Sequence, residues 1–123
     1  MSLTLYGIPN CDTVKKARMW LDAQGLAYRF HDYKKAGVDE GKLREWVTAA
    51  GWEKVLNRQG TTFRKLPEDQ RAELDADRAI TVMLANPSAI KRPIVEYANG
   101  SGRGLLVGFD PVGWSVALAG KPA

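Results

Sequence analysis

Strand and helix patterns alternate at the start of this sequence, and that alternation constrains the possible folds more than any other feature. Residues 3–6 are apolar or β-favouring, and residues 7–10 form a turn cluster. A helical pattern follows and stops at Gly25, with a stripe made of Val14, Ala17, Leu21 and Gln24 and with Trp20 beside it. Residues 26–33 are again rich in β-favouring side chains. We therefore predict a βαβ unit with parallel strands and a right-handed crossover.

The next block of the chain has helical periodicity. Asp39 is predicted to cap a helix that ends at Gly51 and carries Leu43, Trp46, Val47 and Ala50. Residues 57–60 break the pattern. Around this break we predict three shorter helical pieces, at residues 52–56, 62–66 and 67–74.

The block closes with one more predicted helix. Asp77 is its predicted cap, Asp75 is a second cap residue, and the helix ends at Asn86-Pro87 after apolar positions at Ile80, Met83 and Leu84. The aromatic anchors of the whole block are Trp46, Trp52 and Phe63. We interpret residues 39–87 as a helical insertion that packs on the sheet rather than as a separate domain.

The last part of the chain returns to strands. Residues 93–97 and 104–109 are predicted antiparallel strands joined by a hairpin turn at residues 99–102. Asp110 and Pro111 then supply a cap and an N1 proline for a helix over residues 112–118. The order βαβ, helices, ββα predicts an α/β protein with a thioredoxin-like fold, a mixed four-stranded sheet and a helical insertion.

Length and composition limit the kinds of protein that the chain can be. The sequence has 123 residues, of which 45% are hydrophobic. We predict that residues 1–123 form a single globular domain with an ordinary core. The one cysteine, Cys11, excludes a disulfide scaffold. Because Cys11 and His31 are the only soft ligands, we predict no metal site.

Charge and hydropathy bear on location and partners. No apolar run approaches the roughly 20 residues that span a bilayer, and no secretory signal is visible. We therefore expect a cytoplasmic protein that binds no membrane. The net charge of +4 is mild and its basic residues are scattered, which favours small anionic ligands over nucleic acid.

Cys11 is the residue with the clearest chemical potential. It lies where the first predicted strand turns into a helix, so unpaired amide groups and the positive end of the helix dipole would stabilise its thiolate. Lys15 and Lys16 would add positive potential, and Asp12 would oppose it slightly. The alternative is a small buried core thiol. We favour a nucleophile, which would also bring an anionic substrate to the same amide groups.

The surroundings of Cys11 exclude several kinds of thiol chemistry. Val14 stands where a Cys-x-x-Cys motif needs its second cysteine, so a thiol from outside the chain must resolve any adduct. Ala17 stands where a Cys-x5-Arg phosphatase loop needs arginine, and Arg18 is one residue out of register. His31 lies in a strand pattern without an evident partner, and we assign it no catalytic role.

Arg92-Pro93 is the second signal. A proline at this place suits the start of a strand, with an exposed arginine before it. The functional alternative brings the Arg92 guanidinium beside the thiolate, where it would bind an oxyanion or a carboxylate through two hydrogen bonds.

Several motifs together resemble the arsenate reductase (ArsC/Spx) family, and within it the YffB-like branch. They are residues 5–11, 16–18, 20–21, 56–62, 90–94 and 106–109, in the order and spacing of the family. The resemblance implies a thioredoxin-like fold with a helical insertion and a cis peptide before Pro93. It also implies that the cysteine at position 11 attacks arsenate in the arsenate-reducing members. There, three arginines bind the oxyanion, and glutathione with glutaredoxin completes the cycle.

This sequence departs from that family pattern at several positions. Arg92 matches one of the three arginines, whereas Asn57 and Gly108 stand at the other two, with Arg58 as a substitute next to Asn57. The histidine that the family carries four residues before its cysteine is Gly7 here. These differences argue against arsenate reduction. Spx regulators, which bind RNA polymerase and often carry Cys-x-x-Cys, also differ from this chain at Val14.

The leading functional hypothesis is a glutathione-dependent thiol reductase. Cys11 would be the nucleophile, glutathione the co-substrate and glutaredoxin a partner, with no bound cofactor. The predicted substrate-binding residues are Arg92, Arg58, Lys15, Asn10 and Pro93. Two alternatives stay open: an arsenate reductase that uses glutathione and glutaredoxin, and a non-enzymatic, Spx-like regulator that binds a protein.

Overall fold

The computed structural model describes residues 1–100 and 102–119. Their strands are β1 (Ser2–Gly7), β2 (Arg29–Asp32), β3 (Ile94–Asn99) and β4 (Gly102–Val107). Their α-helices are α1 (Asp12–Ala23), α2 (Tyr33–Ala36), α3 (Glu40–Ala50), α4 (Trp52–Val55), α5 (Thr61–Arg64), α6 (Glu68–Arg71), α7 (Ala76–Ala85) and α8 (Pro111–Ala119), and a 3₁₀ turn covers Pro87–Ala89.

The chain forms two compact units. The first combines Met1–Asp32 with the chain from Arg92 onward, and the second covers Tyr33–Lys91. The second unit includes the helical block predicted at residues 39–87 and extends beyond it at both ends. That this block is an insertion within a single domain, packed on the sheet, stays a prediction.

The first unit contains the mixed four-stranded sheet, in the order β2-β1-β3-β4. β1 pairs with β2 in parallel, and the β1–β3 and β3–β4 pairs are antiparallel. The predicted fold class is therefore confirmed, including the parallel βαβ unit and the hairpin. Ser101, in the predicted hairpin turn, lies outside the described residues.

The core of the first unit lies on the face of the sheet that carries Leu3 and Leu5. Helices α1 and α8 pack there, and the buried cluster consists of Leu3, Leu5, Val14, Ala17, Leu21, Val95, Trp114 and Leu118. The predicted apolar stripe of α1 is thus confirmed for Val14, Ala17 and Leu21, which are all buried in this cluster. Gln24 is wrong as a stripe residue, because α1 ends at Ala23 and leaves Gln24 exposed.

Two ends of elements show how local side chains set boundaries. Asp110 caps α8 as predicted, since its carboxylate accepts the amides of Val112 and Gly113 at 3.3 and 3.2 Å. The strand predicted over residues 26–33 covers only Arg29–Asp32, since residues 26–28 lie outside it and Tyr33 begins α2. Tyr33 is fully buried and donates its hydroxyl to the carbonyl of Ile90 at 3.0 Å, a contact inside the second unit.

The second unit is helical, as its periodicity predicts. Asp39 caps α3 through the Lys42 amide at 3.0 Å. Asp75, not Asp77, caps α7, since the Asp75 carboxylate accepts the Arg78 amide at 2.8 Å. An N-cap oxygen must reach the third helical amide, and the spacing from Asp77 would start the helix two residues late.

Two of the three aromatic anchors of this unit are buried. Trp46 is 1% exposed and Phe63 7%, whereas Trp52 is half-buried. Within the ranges that the structure describes, no helix combines the length and the apolar character needed to cross a bilayer.

Candidate functional site

Cys11 lies at the junction that the sequence predicts, between the end of β1 and the start of α1. It is the N-cap residue of α1, with extended backbone angles of −120° and 126°, and its carbonyl accepts the Lys15 amide at 2.9 Å. Its side chain is partly exposed and packs against the edge of the core cluster. Cys11 is therefore not a sealed core thiol, and its sulfur stands over the first turn of the helix.

The electrostatic environment lowers the pKa of the Cys11 thiol. Partial burial by itself raises the pKa, because it penalises the charged thiolate. Favourable interactions with the Val14 amide, the Arg92 side chain and the Thr13 amide outweigh that penalty, and the positive charge of Arg92 adds to them. The net direction is downward, as expected for a thiol at a helix N-terminus beside a guanidinium.

Arg92, which is distant from Cys11 in the sequence, lies beside this sulfur within the first unit. It precedes β3, and its peptide bond to Pro93 is cis, as the resemblance implies. Pro93 is buried, and its carbonyl accepts the Gly108 amide at 2.8 Å. The segment that carries Arg92 is thus joined to the end of β4.

The other predicted site residues have different surroundings. Asn10 is exposed in the turn before Cys11, and Lys15 is exposed one helical turn after it. Arg58 belongs to the second unit, where its guanidinium carbon lies 5.3 Å from the centre of the Trp52 ring. Substrate binding by Asn10, Lys15 and Arg58 stays a prediction.

The packing of Val14 against Gly7 leaves no room for a side chain at position 7. Gly7 is buried at the end of β1, and a Cβ atom there would lie 2.9 and 3.3 Å from the two methyl carbons of Val14. A histidine in this place would collide with α1. Val14, the residue that such a side chain would meet, is fully buried.

The two positions without the family's arginine have other local roles. Gly108 has a φ of +80°, where any residue with a Cβ is strained, and its carbonyl accepts the Trp114 indole N–H at 3.1 Å. Asn57 forms an Asx turn, in which its side-chain oxygen accepts the Gln59 amide at 3.2 Å. The backbone at Gly108 therefore disfavours an arginine, whereas at Asn57 an arginine would lose the Asx turn.

The sequence interpretation missed one arrangement beside the site. The guanidinium of Arg18 lies over the Phe30 ring and its Nε donates to the Tyr28 hydroxyl. The only signal in the sequence was the spacing of Arg18 from Cys11 along α1. The His31 ring, by contrast, makes a tilted contact with the Tyr6 ring, with 5.0 Å between ring centres, and Tyr6 donates its hydroxyl to Glu96 at 2.7 Å.

Comparisons with known proteins agree with this geometry. Residues 6–116 match the model of the ArsC family. A Haemophilus influenzae protein described as uncharacterized is 39% identical over 117 residues, which are 95% of this chain and 99% of that protein. A solved structure named YFFB protein is 54% identical with a TM-score of 0.88, over 95% of this chain and 99% of its own. An arsenate reductase (ArsC) related protein from Brucella melitensis is 51% identical with a TM-score of 0.72, over 97% of this chain and 95% of its own.

Proposed function

Because this chain belongs to the ArsC family, we propose that it reduces mixed disulfides of glutathione, with Cys11 as the nucleophile. The resemblance of its motifs to this family is confirmed, and the chain is an arsenate reductase-like thiol oxidoreductase. The observation that carries the proposal is the thiol of Cys11 at the N-terminus of α1, with its pKa lowered by helix amides and Arg92. The thiolate is the nucleophilic form of cysteine, and a lowered pKa increases its share at a given pH.

The proposed reaction has two displacement steps. The Cys11 thiolate attacks the glutathione sulfur of a mixed disulfide, RS–SG, which forms Cys11–S–SG and releases RS⁻. A glutathione thiolate then attacks the glutathione sulfur of this adduct, which releases the Cys11 thiolate and forms GSSG. The substrate thiol is reduced, and two glutathione units end as one disulfide. No bound cofactor takes part.

The second step needs a thiol from outside, since Cys11 is the only cysteine of the sequence. Glutathione is the proposed thiol and glutaredoxin an additional partner. We place the reaction in the cytoplasm, where glutathione keeps thiols reduced. Arg92 is proposed to exchange its contact with the thiolate for one with a substrate anion. Lys15, Asn10, Pro93 and Arg58 are the further proposed binding residues.

Intact-protein mass spectrometry tests this proposal. After exposure to oxidised glutathione, we expect one glutathione adduct per chain, absent in Cys11→Ser and removed by reduced glutathione. Peptide mapping must assign the adduct to Cys11. The proposal is wrong if the wild-type protein stays unmodified, or if reduced glutathione does not remove the adduct.

Arsenate reduction is a second proposal, favoured by the guanidinium of Arg92 beside the thiolate. The strained position for a side chain at Gly108 argues against it, since that backbone suits no arginine. We expect weak or absent turnover of arsenate with glutathione and glutaredoxin. A turnover above that with a glutathionylated peptide would reverse the order of the two proposals.

The protein-binding alternative remains a prediction as well. Capture of RNA polymerase subunits by the Cys11→Ser variant, at the level of the wild-type protein, would favour a regulator of the Spx kind.

A further inference from the structure

Arg18, on helix α1, has an unusually defined orientation for a surface cation. Its guanidinium carbon lies 4.3 Å from the centre of the Phe30 ring and 5.9 Å from that of Tyr28. Its Nε donates a hydrogen bond to the Tyr28 hydroxyl at 3.0 Å. Stacking and this hydrogen bond hold the planar group in one orientation, which reduces the entropy that Arg18 would lose on binding an anion.

The two outer nitrogens of this guanidinium are available to a ligand. The Nε proton is used by Tyr28, and over residues 1–100 and 102–119 Arg18 has no ion pair. Asp22, one turn further along α1, is an acceptor at ordinary i,i+4 spacing, yet Arg18 lies over Phe30 instead. The remaining N–H groups of an arginine form a fork that matches a carboxylate.

The position of Arg18 relates it to the reactive cysteine. Residues 11, 15 and 18 are spaced by four and three, which puts Cys11, Lys15 and Arg18 on one side of the helix. Seven residues at a rise of about 1.5 Å separate Cys11 and Arg18 by roughly 10 Å along the axis. In glutathione the sulfur belongs to the middle residue, so a terminal carboxylate lies at most about two residue lengths, or roughly 7 Å, from it. The long side chain of Arg18 must therefore bridge the remaining few ångströms.

We propose that Arg18, seated on Phe30 and Tyr28, is a carboxylate-binding subsite for the disulfide that Cys11 attacks. This inference rests on the proposed function and makes it more specific. The subsite takes a carboxylate of a glutathione unit while the sulfur of that disulfide lies at Cys11. Arg18 is a positioning residue, because it contacts a remote group of the substrate and not the reacting sulfur atoms.

The test compares two disulfides that differ in carboxylates. Oxidised glutathione carries them, and bis(2-hydroxyethyl) disulfide does not. The rate at which each forms an adduct on Cys11 is measured by quenched mass spectrometry for the wild type and for Arg18→Met, which keeps an apolar cover over Phe30. Lys16→Met is the matched control, since it removes an exposed cation from the same helix.

We expect Arg18→Met to slow the glutathione disulfide reaction about five- to tenfold and the uncharged one less than twofold. Lys16→Met should change the ratio of the two rates less than twofold. Arg18→Lys, which keeps the charge without the fork, should give an intermediate ratio, and Phe30→Leu should shift the ratio in the same direction. Thermal unfolding of each variant identifies any loss of folded protein. If Arg18→Met does not fold, the rate ratio of Arg18→Lys decides whether the subsite exists.

The outcomes separate this inference from the function on which it rests. Equal slowing with both disulfides, an unchanged ratio, or the same change in Lys16→Met would overturn the subsite alone, because Arg18 would then only cover Phe30 or add general charge. If the wild-type protein reacts with neither disulfide, the proposed function fails and the subsite fails with it.

Discussion

Replacing Gly7 with alanine probes how closely β1 packs against α1 next to Cys11, the proposed nucleophile. The new Cβ would lie 2.9 Å from one methyl carbon of Val14, 3.3 Å from the other and 3.6 Å from a methyl carbon of Leu5. Apolar carbons prefer separations of about 3.5–4.0 Å, so the closest pair is too near by at least roughly 0.6 Å. Val14 is fully buried and, as a β-branched residue in a helix, cannot rotate away.

Overpacking of this kind costs about 1–3 kcal/mol of unfolding free energy. An alanine that met no obstacle would instead stabilise a strand by about 0.5–1 kcal/mol relative to glycine. The sign of the change in unfolding free energy therefore distinguishes a steric clash at position 7 from an unobstructed alanine. Urea unfolding followed by circular dichroism measures it, and Gly7→Ala should lower the transition midpoint. A midpoint equal to or above that of the wild type would refute the steric argument.

Val14→Ala is the control that creates room for the new methyl group. By itself it removes two buried methyl groups and costs about 2–3 kcal/mol, from roughly 0.8 kcal/mol per group plus the cavity left behind. In the double variant, the alanine at position 7 partly fills that space. The double variant should therefore be more stable than the sum of the single effects predicts, by at least about 0.5 kcal/mol. Simple additivity would show that Val14 is not the obstacle.

Three further predictions concern charge and helix capping. Arg92→Met should raise the pKa of Cys11, so the pH midpoint of its alkylation by iodoacetamide should move upward. Lys16→Met should leave the midpoint in place, since Lys16, contrary to the expectation from sequence, is not among the groups that lower this pKa; an unchanged midpoint in Arg92→Met would exclude the Arg92 contact. Folding lowers the pKa of Cys11 from its ordinary value of 9.0. The stability of the wild type relative to Cys11→Ser should therefore increase as pH rises from the folded pKa to 9.0, and this increase should be lost as pH falls through the folded pKa. Urea unfolding across pH measures this difference, and a flat difference would contradict the direction. Asp110→Ala should cost about 1 kcal/mol by removing the cap of α8, with Asp110→Asn close to the wild type in thermal unfolding; equal melting of all three would contradict the capping role.

The sequence alone predicted the features that a few neighbouring residues decide. Asp39 and Asp110 cap the helices that they precede, and Cys11 stands at the start of α1, because capping and helix-terminus chemistry depend on the next three or four residues. Residue order and turn signals also predicted the parallel first pair of strands and the antiparallel hairpin. Even so, the local pattern misassigned the start of α7, where both Asp75 and Asp77 could serve as the cap.

The tertiary structure decided which distant residues meet. Arg92 lies beside Cys11 because β3 pairs with β1 and thereby brings the start of β3 to the end of β1 that leads into α1. The close approach of Gly7 to Val14, and the seat of Arg18 on Phe30, depend in the same way on how α1 lies across the strands. No pattern within a short window encodes such contacts, since they exist only when the whole sheet and its helices have formed. The position of the proposed nucleophile can thus be predicted from the sequence, whereas the groups that lower its pKa and surround it are set by packing.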